Sequence, residues 1–309
     1  MYNNIYKAKG GHNMKYKDWL DEWQENYVSP TLKQRTVTLY ADVIRLHLAP
    51  SVGQEELETL STRKLQSQVT RLIKDGLSTS TVNLAITIIK SSLKRAVSVG
   101  LIDVSPADGI VRPKKQEKNV ECFSLEEQRK IIEEIKRSEN RRNLGIVVCL
   151  YTGVRIGELL ALEWGDVDMK SRYISINKTR LESDGNITTC TPKTYSSNRI
   201  IPIPTGLIPI IKELKRDGAK TVISQDGLPV LTRTYQRAFE SVLKRAGVER
   251  RGFHALRHTF ATRAVECGMD VKTLAEVLGH KNPTVTLTRY VHSLESHKRE
   301  MMNKLGKTL

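Results

Sequence analysis

The chain has 309 residues, 39% of them hydrophobic, and carries 50 Lys and Arg against 34 Asp and Glu, for a formal net charge of +16. That length suffices for a sizeable core divided between about two domains, and no apolar run approaches the roughly 18 residues that a membrane span requires. Basic residues exceed acidic ones on both sides of residue 120, so the expected partner is a polyanion, with general solubility as the plainer reading of the same charge.

The opening MYNNIYKAKGG lacks the apolar segment of a secretory signal, and a cytoplasmic chain is expected. Cys122, Cys149, Cys190 and Cys267 are scattered without a C-x-x-C pair, which argues against a zinc ribbon or a disulfide framework and for reduced thiols.

In chain order, residues 1–13 form a short extension, after which apolar residues recur at helical spacing. Trp19, Leu20, Trp23 and Tyr27 share one face. So do Leu39, Val43 and Leu46; Leu65, Val69, Leu72 and Ile73; and Val82, Ala85, Ile86, Ile89, Leu93 and Ala96. Gly76 supplies a stop, and Ser78-Thr79-Ser80 a start. The spacing predicts a four-helix module over 14–111. On its fourth helix Lys90 and Lys94 lie four apart with Arg95 beside them, either a solvated face or a contact to a phosphate backbone.

RPKKQEKN, at 112–119, has no apolar period, and residues 112–120 read as a linker. A second domain, 121–293, opens on the capping-box pattern Ser124-Leu125-Glu126-Glu127, with Ile131, Ile132 and Ile135 on the inner face of the helix that follows. YISINKT (173–179), NITTCTPK (186–193) and NRIIPIP (198–204) alternate or carry β-branched residues, which predicts one small antiparallel sheet. Helical signals resume near 231, interrupted at Gly247, Gly268 and Gly279. Residues 294–309, with Leu294, Met301, Met302 and Leu305, suit a short amphipathic tail helix. The fold class is mainly α with a small antiparallel β-sheet.

The chemistry concentrates in the second domain. In Thr152-Gly153-Val154-Arg155-Ile156-Gly157-Glu158 a turn precedes a short helix. Arg155 in its first turn, near the positive end of the dipole, suits an anion, and Glu158 can orient a neighbouring basic group. Alone, an arginine near a helix start is usually a surface residue. His254-Ala255-Leu256-Arg257 places a histidine and an arginine three apart on one helical face, where both can converge on one phosphate. His258 follows His254 by four, a metal-compatible spacing, but without the Glu of H-E-x-x-H no metal is expected. His280 follows Gly279 at a turn, and Tyr290 lies ten residues later in Thr288-Arg289-Tyr290-Val291-His292. A tyrosine among arginines and histidines can break and rejoin a phosphodiester without metal or nucleotide. Asp166 and Asp168 suggest a metal nuclease only superficially, since D-x-D after a helix is commonly a polar turn. Gly218-Ala219-Lys220-Thr221 lacks the G-K-T/S of a phosphate loop.

These ordered boxes resemble those of the tyrosine recombinase, or phage-integrase, family, and the match runs over nearly the whole chain. The resemblance implies a helical, SAM-like core-binding domain followed by an α+β catalytic domain. It implies that Arg155, Lys193, His254, Arg257 and His280 form the active-site set, with Tyr290 as nucleophile and Glu158 supporting. Lys193 falls where the family keeps a catalytic lysine on a hairpin. Tyr290 would form a 3′-phosphotyrosine, Arg155 and Arg257 would hold the phosphate oxygens, and Lys193 would protonate the leaving 5′-oxygen. No cofactor is implied.

The implied partners are double-stranded recombination sites, further copies of the chain (a dimer on one site, a tetramer in the synapse), and accessory excision or DNA-bending proteins, but no membrane. The tail beyond Tyr290 would dock on a neighbouring protomer or pack in cis. Integrases that bind arm sites carry a small extra domain, for which the residues before Lys15 are too few, so the expectation is either recombination with simple DNA requirements or a shortened start. The expected function is integration and excision of a mobile element. A Xer-type dimer resolvase and a catalytically silent DNA-binding relative are the alternatives; a type IB topoisomerase shares the chemistry but works as a monomer.

Overall fold

The computed structural model describes residues 14–114, 121–183, 186–190, 198–215, 219–280, 302–303 and 305–306. The chain divides into two compact units, Met1–Lys118 and Asn119–Leu309. Among the described residues no helix is long and apolar enough to cross a membrane.

The first unit is helical. Helix α1 (Tyr16–Trp23) runs on through a wide turn, Gln24–Val28, and α2 (Gln34–Val43) through a similar one, Ile44–Leu48. Two further helices follow, α3 (Thr62–Lys74) and α4 (Thr79–Ser98). Ser61 and Ser78 cap α3 and α4 by accepting from the N–H groups of Lys64 and Thr81. Val82, Ala85, Ile86, Ile89, Leu93 and Ala96 of α4 are buried as their spacing predicts. Tyr16 Oη meets Ser92 Oγ at 2.8 Å, and Trp19 Nε1 donates to the Ser92 carbonyl at 3.0 Å, fastening α1 to α4.

Of the face expected on the second helix, Leu39, Val43 and Leu46, Val43 alone is buried. Leu39 is 49% and Leu46 53% exposed, whereas Val37, Val43, Ile44 and Leu48 are buried and Tyr40 stacks near Trp23. This stretch carries two overlapping apolar stripes, and the one holding Tyr40 meets Trp23. Ile73 of α3 is also exposed.

The second unit begins with α5 (Leu125–Arg137), closed by the predicted capping box: Ser124 N donates to Glu127 Oε2 at 2.7 Å and Glu127 N to Ser124 Oγ at 3.1 Å. Helix α6 (Leu144–Thr152), LGIVVCLYT, is apolar all round and buried apart from Tyr151, which makes it the central helix. Then come α7 (Ile156–Ala161), β1 (Val167–Asp168), β2 (Tyr173–Ile176), β3 (Thr179–Ser183), β4 (Asn186–Cys190) and β5 (Arg199–Pro202). After these the chain forms α8 (Ile208–Leu214), β6 (Ser224–Gln225), β7 (Leu228–Pro229), α9 (Thr232–Arg245), α10 (His254–Glu266) and α11 (Val271–Leu278). The glycine stops at 247, 268 and 279 fall where expected, each at positive φ.

The single expected sheet is instead several. Strands β1, β2 and β5 form one antiparallel sheet, with Ile174 opposite Ile201 and Ile176 opposite Arg199. Strands β3 and β4 form a separate hairpin, with Thr179 opposite Cys190, and β6 pairs with β7. The expected strand 173–179 breaks at Asn177 and Lys178, whose side chains are drawn to Asp166 at 3.2 and 2.8 Å. Of the tail, Met302, Asn303, Leu305 and Gly306 are helical, and the rest of the tail reading lies outside the described residues, as does most of the linker.

Gly153 ends α6 with φ +65°. A Cβ there would lie 2.5 Å from Phe260 Cδ1 and 2.8 Å from Leu278 Cδ2. Gly153→Ala is therefore expected to lower stability by about 1–3 kcal/mol, read as a shift of the urea midpoint at unchanged m-value.

Candidate active site

Helix α11 ends in a left-handed glycine, Gly279 (φ +66°), with the Gly279 and His280 amides returning to the Glu276 and Ala275 carbonyls at 3.0 and 2.9 Å. The last carbonyls of a helix have no partner within it. Here three consecutive ones are each taken by a different arginine. Val277 O accepts from Arg199 Nε at 2.6 Å, Leu278 O from Arg257 Nη2 at 2.7 Å, and Gly279 O from Arg155 Nη2 at 3.4 Å. Cationic groups are also favoured at the negative end of the helix dipole.

Arg257 lies one turn into α10 and is 2% exposed, and its Nη1 donates to the Gly153 carbonyl at 2.8 Å. Backbone carbonyls from two separate turns thus set the plane of its guanidinium. Arg155 is the residue before α7 rather than within its first turn, with ψ 152°. This extended backbone lets its side chain leave the helix axis and reach Gly279, while 37% of it stays exposed. Glu158, three residues on, accepts from the Arg155 amide at 2.9 Å and from its Nη1 at 2.8 Å.

Glu158 has a second, more buried partner. Arg199 places Nη1 3.1 Å from Glu158 Oε1 and Nη2 2.8 Å from Oε2, a forked pair whose side chains are 6% and 5% exposed. Burial pushes the Glu158 carboxyl pKa up, but the Arg199 fork and then Arg155 outweigh it and hold the group down at about 2. Arg199 is the residue that sequence reasoning missed. Its signal was the alternation of NRIIPIP, which puts Arg199 on the same buried face as Ile201 and Ile203. A charge on the inner face of a strand needs a partner.

Of the remaining predicted residues, His254 opens α10 on the surface, one turn from Arg257, with its ring 4.7 Å from that of His258 and perpendicular to it. Among the described residues no group of three or more His, Cys, Asp and Glu side chains is placed to hold a metal. His280 is half-buried directly after Gly279. Lys193 and Tyr290 lie outside the described residues. Asp166 and Asp168 form a polar turn: Asp168 Oδ1 accepts from the Lys170 and Ser171 amides at 2.9 and 2.8 Å, and Asp166 pairs with Lys178. In the first unit Lys94 is exposed, Lys90 Nζ reaches the Asp108 carbonyl at 3.5 Å, and the Arg95 guanidinium lies 4.7 Å from the centre of the Tyr27 ring.

Residues 122–297 match the model of the phage integrase family, and residues 15–73 match that of the phage integrase N-terminal SAM-like domain. The chain belongs to the phage integrase family. It is a tyrosine-type recombinase, an enzyme of site-specific DNA strand breakage and rejoining. A relative described as tyrosine recombinase XerC-like, from Caldanaerobacter subterraneus subsp. tengcongensis, is 29% identical over 94% of this chain and 82% of its own length. The ICEBs1 integrase of Bacillus subtilis is 25% identical over 86% of this chain and 76% of its own. Among solved structures, the Tn1549 transposon integrase in complex with a circular intermediate DNA superposes with a TM-score of 0.82 at 23% identity, covering 94% of this chain and 99% of that one. A lambda integrase dimer bound to a core site gives 0.73 at 21%, covering 89% and 95%. The integrase fold of a helical SAM-like domain and a catalytic domain is thus the fold of this chain.

Because the folded-state pKa of Glu158 lies below its usual 4.5, its pairing stabilises the fold fully above about pH 4.5 and is lost as pH falls toward about 2. Glu158→Gln should remove that portion of the acid dependence. It should also cost about 3–5 kcal/mol at neutral pH, because Arg199 is left buried beside a neutral amide, as urea titrations at several pH values would measure.

Proposed function

We propose that this chain is the integrase of a mobile element and that Arg155, Lys193, His254, Arg257, His280 and Tyr290 carry its reaction, with Glu158 in support. The observation that supports the site most directly is the end of α11, where Arg155 and Arg257, from separate elements, are held on adjacent carbonyls beside His280. Two planar guanidiniums fixed at one turn suit the non-bridging oxygens of a phosphodiester.

Tyr290 Oη attacks the scissile phosphorus, forming a 3′-phosphotyrosine as the bond to the 5′-oxygen breaks. Ionising a tyrosine at neutral pH costs roughly 4 kcal/mol, which the surrounding cations offset and His254 shares by accepting the proton. Arg155 and Arg257 meet the charge that grows on the phosphate oxygens, a donor of this kind being worth about 3–4 kcal/mol. His280 adds a hydrogen bond, and Lys193 gives a proton to the departing 5′-oxygen. Attack by a 5′-hydroxyl on the phosphotyrosine reverses the steps on a new partner strand. The phosphotyrosine retains the energy of the broken bond, so neither ATP nor metal is used.

The substrates are double-stranded recombination sites in the cytoplasm, bound by the catalytic unit and by the helical unit, where Lys90, Lys94 and Arg95 are the proposed phosphate contacts. Lambda integrase has been solved as a dimer on a core site and as a tetramer on a Holliday junction. A dimer on one site and a tetramer in the synapse are proposed here too, with residues 294–309 linking protomers and accessory excision or DNA-bending proteins setting direction. The ICEBs1 and Tn1549 relatives favour the mobile-element role, and the XerC-like relative favours the second reading, resolution of chromosome or plasmid dimers. Recombination of a plasmid pair bearing the ends of the element that carries the gene distinguishes the two.

On a nicked suicide duplex the wild-type chain should form a covalent adduct, whereas Tyr290→Phe should bind the same duplex and form none. An undiminished adduct from the variant excludes Tyr290 as nucleophile. Lys193→Ala should cleave slowly when the leaving group is oxygen and regain most of its rate when it is sulfur, which needs no proton; absence of that rescue removes Lys193 as the acid.

A further inference from the structure

The Glu158 carboxylate is shared by two guanidiniums of different exposure. Arg199 faces it from within, its side chain 6% exposed, and Arg155 from the surface, 37% exposed. We propose that Arg199 is a positioning residue for strand cleavage: by neutralising Glu158 from the inside it leaves the charge of Arg155 available to the scissile phosphate, and by gripping the end of α11 it keeps Arg155, Arg257 and His280 around one point. The inference rests on the reading of Arg155 as a phosphate ligand.

The charges carry the first part. One carboxylate between two guanidiniums leaves one positive charge over. Without Arg199, Glu158 would be a buried anion left with Arg155 as its ion-pair partner among the described residues, and a buried charge holds its partner strongly because solvent cannot replace it. Arg155 would then be drawn inward, and the Arg155–Glu158 pair would present no net charge to an anion.

The hydrogen bonds carry the second part. Arg199 spends Nη1 and Nη2 on the two oxygens of Glu158 and Nε on Val277 O. One planar side chain therefore ties the α7 carboxylate, the start of β5 and the last turn of α11 together. The fit is close: a Cβ on Gly279 would stand 3.0 Å from Arg199 Nη1 and 3.2 Å from its Cδ. A lysine could supply the charge, but a single ammonium cannot span both carboxylate oxygens and the carbonyl as the guanidinium does. Arg199 touches no reacting atom in this scheme and acts through Arg155 and the turn that bears His280.

The test uses the full chain and a duplex selected from a random-sequence library by capture of the wild-type covalent adduct. Single-turnover adduct formation and duplex affinity are measured separately for wild type, Arg199→Lys and Arg199→Met. Arg199→Met should lose about 100-fold in the cleavage rate constant with its dissociation constant within about threefold of wild type, and Arg199→Lys should fall between. The deciding readout is a duplex with a methylphosphonate at the scissile position, whose neutral centre no longer needs the charge of Arg155. On it the deficit of both variants should shrink to about tenfold or less, which loss of structure alone would not produce. Should Arg199→Met unfold in a thermal melt, Arg199→Lys carries the same comparison. Cleavage by Arg199→Met at the wild-type rate, or a deficit as large on the neutral duplex as on the charged one, overturns the proposal alone. Absence of any wild-type adduct overturns the catalytic reading, and the proposal with it.

Discussion

The catalytic unit depends on how the carbonyl end of α11 is satisfied. A helix leaves its last carbonyls without donors, and buried carbonyls without donors are costly. Here three in succession are met by Arg199, Arg257 and Arg155, which come from β5, α10 and the turn before α7. Segments far apart in the chain are thereby fixed at one place. The same contacts that complete the helix align the guanidiniums, so one set of hydrogen bonds both closes α11 and orients the two arginines proposed to hold the phosphate.

Three arginines cannot be crowded together without an anion. Glu158 is that anion, and it sits at the third position of α7, where its carboxylate also receives the Arg155 amide. Desolvation works against the charged carboxylate, yet the forked contact with Arg199 holds it ionised. Arg257 is buried against backbone carbonyls, with Gly153 O and Leu278 O as two of its acceptors. Both of these carbonyls lie at helix ends closed by left-handed glycines, Gly153 and Gly279. The glycines turn the chain without a side chain in the way, and the arginines occupy the space.

Much of this was legible in the sequence because the signals are local. The capping box at Ser124 and Glu127, the serine cap of α4, the apolar stripe of α4 and the glycine stops after α9, α10 and α11 all depend on residues within a few positions of one another. Glu158 was legible as a partner for a basic group for the same reason, being three residues from Arg155. The failures share an opposite cause. On α2 two apolar stripes compete, and Tyr40 packing near Trp23 decided between them. The strand expected over 173–179 broke because Lys178 was drawn to Glu163 and Asp166, and β3 pairs with β4 in a hairpin of its own rather than joining the expected sheet. Arg199 showed only as a charge on the buried face of a strand.

The sequence by itself determined the residue types, their order and the local geometry that each helix end imposes, which is why a phosphate-handling chemistry could be read from Arg155, His254, Arg257, His280 and Tyr290 before any fold was known. Only the tertiary structure decided which arginine serves which partner. Spacing along a chain specifies contacts within one helical turn. Arg199 and Glu158, by contrast, are 41 residues apart, and Arg257 and Gly153 are separated by 104. Contacts at that separation form only when the fold brings the two segments together, and here packing has also excluded water from both groups, which makes an unpartnered charge too costly to leave.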